Sequence, residues 1–166
     1  MKYDFTNIYQ RAYKILENVT PLPYDCGKLC KGACCKDNDV GTGMYLYPCE
    51  IKMYKNLPEW AEIEKSDFVY GGKAAHILSC NEHCDRKMRP LACRIFPLVP
   101  YDDGEGIKII MDPRAMDMCP VARGMKVSPE FINAVTRAMN MLKKTKEGKE
   151  FIREQSRIID DYINIL

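Results

Sequence analysis

Four cysteines fall within the ten positions 26–35, in the stretch DCGKLCKGACC, two of them adjacent, in a chain whose only histidines are His76 and His83. So many thiols in so little backbone constrain the fold more than any other feature. The stretch must close on a common ligand, form disulfides, or bury its sulfurs as small apolar groups. Packing alone has no reason to concentrate thiols beside glycines, so a shared metal is the expectation. Cys26, Cys30, Cys34 and Cys35 read C-x3-C-x3-C-C, Cys80 and Cys84 read C-x3-C, and Cys93 and Cys119 follow. Positions four apart share one face of a helix, so Cys26, Cys30 and Cys34 could form a thiol stripe. Gly27 and Gly32 favour a wrapped loop instead, with backbone N–H groups and Lys28, Lys31 and Lys36 offsetting thiolate charge. Consecutive side chains diverge, so Cys34 and Cys35 serve two centres, or one of them supports the other. Cys49 stands alone and reads as a small buried hydrophobe.

Compartment bears on the choice between metal and disulfide. The N-terminal MKYDFTNIYQRAYK has Asp4 and Arg11 in place of an apolar run, and no stretch approaches bilayer-spanning length, so neither a signal peptide nor a membrane span is expected. A cytoplasmic location follows as the expectation, and the reducing pool there turns nine cysteines toward metal. The net charge of +2 is spread over both signs and gives no case for nucleic acid or a membrane surface as partner. The Lys143, Lys144 and Lys146 cluster reads as a solvated helix end.

At 166 residues a single domain, 1–166, is expected. Apolar residues from Ile8 to Val19 recur at helical spacing over Thr6–Asn18, and Pro21 and Pro23 end that helix. Pro48 at a first helical position predicts a short amphipathic helix with Ile51, Tyr54 and Leu57 on its apolar side. Gly71-Gly72 predicts a hairpin between Asp67–Tyr70 and Lys73–Leu78, and the 102–106 turn a second between Leu98–Tyr101 and Ile107–Met111. Ser128-Pro129-Glu130 starts a helix with Phe131, Val135, Ala138, Met139 and Leu142 on its buried face, Gly148 is expected to interrupt it, and a final helix follows through Phe151 to Ile163. The fold class is therefore α+β: terminal helices flank a cysteine-rich, loop-heavy centre with short β-hairpins, with a metal region over 26–119 and a helical extension over 128–166.

In RPLACRIFP, Pro90 and Pro97 fix the backbone around Cys93, and Ile95 and Phe96 anchor it in the core. Arg89 and Arg94 are placed to face a thiolate site or to bind a carboxylate such as Glu50. His83 reads as a loop histidine, with replacement of one sulfur as the alternative, and His76 as structural. The same residue type holds zinc and iron–sulfur clusters, so spacing leaves a zinc ion and an iron–sulfur cluster both open, as it does one or two sites.

DCGKLCKGACC, followed by CDRKMRPLACRIFP and a later CP, resembles the YkgJ-like cysteine-cluster family, described as a zinc- or iron-chelating domain with a CxxxCxxCC signature. The resemblance spans roughly Cys26 to Cys119. It implies metal ligation by Cys26, Cys30, Cys34, Cys35, Cys84 and Cys93, extended to Cys80 and Cys119, and Glu50 matches an acidic position common after the cluster. The first cluster here is one residue longer in its second gap than the signature. Flagellin lysine methylases are relatives of that family, which implies a metal-dependent, methyltransferase-like protein-modifying enzyme as the alternative to a structural or redox metal protein.

The sequence carries no G-x-G-x-x-G, P-loop, G-x-S-x-G or H-E-x-x-H motif. Its cysteine spacing lies one residue from the C-x3-C-x2-C of radical enzymes that use S-adenosylmethionine, but the chain is too short for their barrel. A third possibility is a zinc-stapled interaction module without chemistry of its own.

Overall fold

The computed structural model describes residues 3–35, 43–80 and 85–165. Helix α1 (Phe5–Ile15) is capped by the Asp4 carboxylate, which accepts from the Asn7 N–H at 3.2 Å, and buries Tyr9 and Ala12. The cysteine stretch is neither a continuous helix nor an open loop. A single turn, α2 (Gly27–Cys30), is broken by Lys31 and Gly32 with φ of 53° and 71°, and a 3-10 turn over Ala33–Cys35 follows. Two successive left-handed residues reverse the chain, so the second half of the thiol stretch folds back beside the first.

Strand β1 (Met44–Leu46) leads to a 3-10 turn over Glu50–Met53, where an amphipathic helix was expected. Cys49 precedes it at φ 64°, and Glu50 turns inward while Leu57 is exposed, so the apolar side read from Ile51, Tyr54 and Leu57 does not form. The Gly71-Gly72 hairpin is present and longer than its apolar pattern suggested, pairing β2 (Ala61–Tyr70) with β3 (Lys73–Cys80). Both glycines have positive φ, as a two-residue turn of the primed type requires. β1 adds to the free edge of β3, giving the antiparallel order β1-β3-β2.

A five-residue helix, α3 (Leu91–Ile95), carries Cys93 at its middle. The second expected hairpin is seen as β4 (Leu98–Asp102) and β5 (Ile107–Met111). Helix α4 (Pro129–Leu142) begins where Ser128 Oγ accepts from the Phe131 N–H at 3.1 Å.

The break before α5 (Lys146–Ile165) falls at Lys143–Thr145, not at Gly148, which lies inside the first turn of α5. Thr145 Oγ1 accepts from the Gly148 N–H at 2.9 Å and so caps the helix. A side chain on Gly148 would meet the Leu142 carbonyl oxygen at 2.2 Å, so glycine serves here to let two helices close tightly.

These elements share one core. Tyr9, Ala12 and Leu16 of the N-terminal segment, Leu91 and Ile95 of α3, Phe131, Val135 and Leu142 of α4, and Phe151 and Ile152 of α5 are all buried in it. Phe151 packs against the rings of Tyr47, Phe68 and Tyr70 with centroids 4.9 to 5.1 Å apart, joining the sheet to the last helix. The architecture is the expected small α+β unit. Among the described residues, no helix is long and apolar enough to cross a membrane.

Candidate metal centre

The proline-rich segment after α1, the reversed thiol stretch, α3 and the segment around Cys119 come together around one cavity of about 140 Å³. Cys26, Cys30, Cys34, Cys35, Cys93 and Cys119 all line it, together with Arg86, Arg89 and Arg94. Six of the eight cysteines expected to hold metal therefore share a single space. Cys80 ends β3 and is not among the lining residues, and neither is Cys49. Cys84, His83 and Lys36 lie outside the described residues.

Each segment is held by contacts that the backbone and its polar groups make. Ser128 N donates to Pro21 O at 2.8 Å and Arg86 Nη2 to Val19 O at 3.0 Å, tying the approach to the thiol stretch at both sides. Asp25 Oδ1 accepts from the Gly27 N–H at 3.0 Å, turning the chain into α2. Cys119 N donates to Ala115 O at 2.8 Å, and Cys119 is the buried member of the set.

The sulfurs differ in their surroundings. Cys34 and Cys35 have Sγ atoms 3.9 Å apart, and the hydrogen bond from Cys35 draws the Cys34 thiol below its ordinary pKa. Burial pushes the Cys26 thiol up, with Cys30 and Cys119 close enough to add to the effect. Among the described residues, no three Cys, His, Asp or Glu side chains are drawn together as around a single ion. The six thiols share the lining of this cavity with apolar residues such as Leu16, Val121 and Phe96. Soft thiolate donors suit zinc and iron–sulfur clusters alike, and three arginines supply charge to set against them.

Behind α3 lies a feature that spacing did not reveal. Glu50 is fully buried. Its Oε1 accepts from the Tyr13 hydroxyl at 2.5 Å and from the Leu91 N–H, the first amide of α3, at 2.6 Å; its Oε2 accepts from the Tyr47 N–H at 2.9 Å. One carboxylate thus joins α1, the end of the β1 segment and the helix that carries Cys93. Burial raises its pKa to about 7, against the three donors, which favour the charged form.

Arg94 does not bind Glu50 directly. Its guanidinium lies 4.2 Å over the Tyr13 ring and donates to Arg89 O at 2.7 Å and Lys87 O at 2.6 Å, so it reaches the carboxylate only through Tyr13. Tyr54 donates to Met88 O at 3.0 Å and closes the same lattice. Tyr13 was missed because its partner is 37 positions away; the only local trace is the Tyr9/Tyr13 spacing on one face of α1. Comparison with protein-family models, with curated proteins and with solved structures returns no match for this chain.

Proposed function

We propose that the chain is a cytoplasmic metal–thiolate protein of the YkgJ-like cysteine-cluster type, holding zinc or an iron–sulfur cluster in one site or two, with the four thiolates of each centre drawn from Cys26, Cys30, Cys34, Cys35, Cys93 and Cys119. Cys80 and Cys84 are further candidate ligands on this reading. The observation that carries it is the convergence of six cysteines, drawn from segments up to 93 positions apart, on one cavity. Thiolate donors suit either group, so metal content decides between them.

When bound, such a group supplies a crosslink between the central segments and, as a cluster, one-electron chemistry. The protein's own residues position the sulfurs: Glu50 and Arg94 fix α3, the left-handed pair at Lys31 and Gly32 folds the thiol stretch back, and the arginines oppose the accumulated negative charge.

Elemental analysis and an absorption spectrum of protein purified without oxygen test the proposal. Stoichiometric metal is the expected result: a brown protein bleached by dithionite, with iron and acid-labile sulfide, identifies a cluster, and colourless protein with zinc identifies a zinc site. A folded protein free of any metal overturns the proposal.

A further inference from the structure

A cleft of about 660 Å³ shares no lining residue with the thiol cavity. It lies between the turn that joins β4 to β5 and the corner that joins α4 to α5, and Lys143, Lys144, Lys149 and Arg153 line it beside Asp102 and Glu105. The charges are unequally committed. Asp102 Oδ2 accepts from Arg153 Nε at 3.5 Å, and its Oδ1 from the Gly104 N–H at 3.1 Å. Among the described residues, Lys143, Lys144 and Lys149 have no carboxylate as ion-pair partner. With Asp102 engaged, Glu105 is the carboxylate of this lining left to set against three ammonium groups.

A solvated helix end accounts for only part of this. Lys143 and Lys144 follow Leu142, the last residue of α4, where the helix dipole favours positive charge. Lys149 is placed the other way. It is the fourth residue of α5, near the pole that disfavours a cation, and it stands four positions before Arg153, so two like charges share one helix face. Both placements work against the free fold, and an anion bound between them offsets both. The walls are fixed by hydrogen bonds. Tyr3 Oη donates to Lys144 O at 2.8 Å across the corner, Ser156 Oγ accepts from the Asp102 N–H at 2.8 Å, and Asp103 Oδ1 accepts from the Glu105 and Gly106 N–H groups at 3.0 and 2.9 Å.

We infer that this cleft binds a small molecule carrying two or more phosphate charges. A lone carboxylate is best matched by the two-pronged fork of an arginine, and Arg153 is already turned to Asp102. Lysines act as point charges, which suit the spread charge of a phosphate. The volume falls among those of small-molecule pockets, about 300–1,000 Å³, and exceeds what one phosphate ion fills. A concave site of this kind differs from the extended basic stripe that follows a nucleic-acid backbone. The inference does not depend on what the thiols hold.

Calorimetric titration of the full chain as purified with pyrophosphate, sulfate and a short DNA duplex, at constant ionic strength and with amide chemical shifts recorded alongside, tests it. Metal content measured before and after separates binding from chelation of a thiol-bound metal. Pyrophosphate is expected to shift the amides of Gly104, Gly106 and Lys149 and to bind about tenfold or more tightly than sulfate. Lys144→Gln and Lys149→Gln are each expected to weaken pyrophosphate by about 3- to 10-fold, and Lys65→Gln, an exposed position on β2 outside the cleft, to leave it unchanged. All three replace exposed side chains, so the fold is kept. Absence of binding, sulfate bound as tightly as pyrophosphate, an equal loss in Lys65→Gln, or duplex DNA bound more tightly through the same lysines would overturn the proposal.

Discussion

Glu50 shows how a single side chain can organise a site it does not enter. Its carboxyl is raised from the ordinary 4.5 to about 7, so the folded state holds this proton more firmly than the unfolded chain does. The contribution is fully present below about pH 4.5 and is lost as pH rises through about 7, a change on the order of 3 kcal/mol from the size of the shift. Urea denaturation between pH 4.5 and 8 is expected to show that decline in the wild type and a flatter profile in Glu50→Gln; parallel profiles would mean that the carboxylate is better compensated than its burial implies. Arg94→Lys is expected to cost about 1–2 kcal/mol, since an ammonium cannot span the Lys87 and Arg89 carbonyls while covering the Tyr13 ring. Reading the sequence offers Glu50 as one of two kinds of partner for Arg89 and Arg94, yet Tyr13 stands between Arg94 and that carboxylate. Contacts over 37 and 41 positions leave no local signal, so the intermediary could not be read from spacing.

Among the elements, legibility followed turn chemistry. Gly71-Gly72 and the 102–106 turn announced both hairpins because positive φ and carboxylate-capped turns demand those residue types. The three-residue β1 and five-residue α3 are too short to show a period, and the charged first half of β2 hides its strand. Gly148 was misread for a physical reason: glycine breaks helices by its freedom, but here it is used for its lack of a side chain. Gly148→Ala is accordingly expected to cost about 2–3 kcal/mol, measured by thermal or urea unfolding, because the new methyl group would meet the Leu142 carbonyl and Thr145 Oγ1. A tolerated alanine would show that the α4–α5 corner relaxes.

Across the molecule, apolar burial is concentrated away from the thiol-bearing segments. α1, α4 and α5 bury a large share of the core, whereas α2 and the turn after it bury no residue and, on the proposed metal–thiolate reading, depend on the bound metal. Chelator treatment is therefore expected to keep most of the helical circular dichroism while speeding tryptic cleavage at Lys28 and Lys31 by about tenfold or more, a local opening rather than global unfolding. Cys93→Ser and Cys119→Ser are expected to lower metal stoichiometry, and Cys49→Ser to leave it unchanged, as elemental analysis would show. The α+β class and the thiol clustering were legible from the chain, since patterning and composition carry both. Which six cysteines meet was not, because convergence is decided by the packing of α3 against α1 and β1. Arg86, Arg89 and Arg94 give that meeting point a lasting electrical character, since arginine keeps its charge wherever the protein is folded. An occupant able to change oxidation state would find the electron-rich form favoured there, and a reduction potential that drops when these arginines are neutralised would be the mark of that bias.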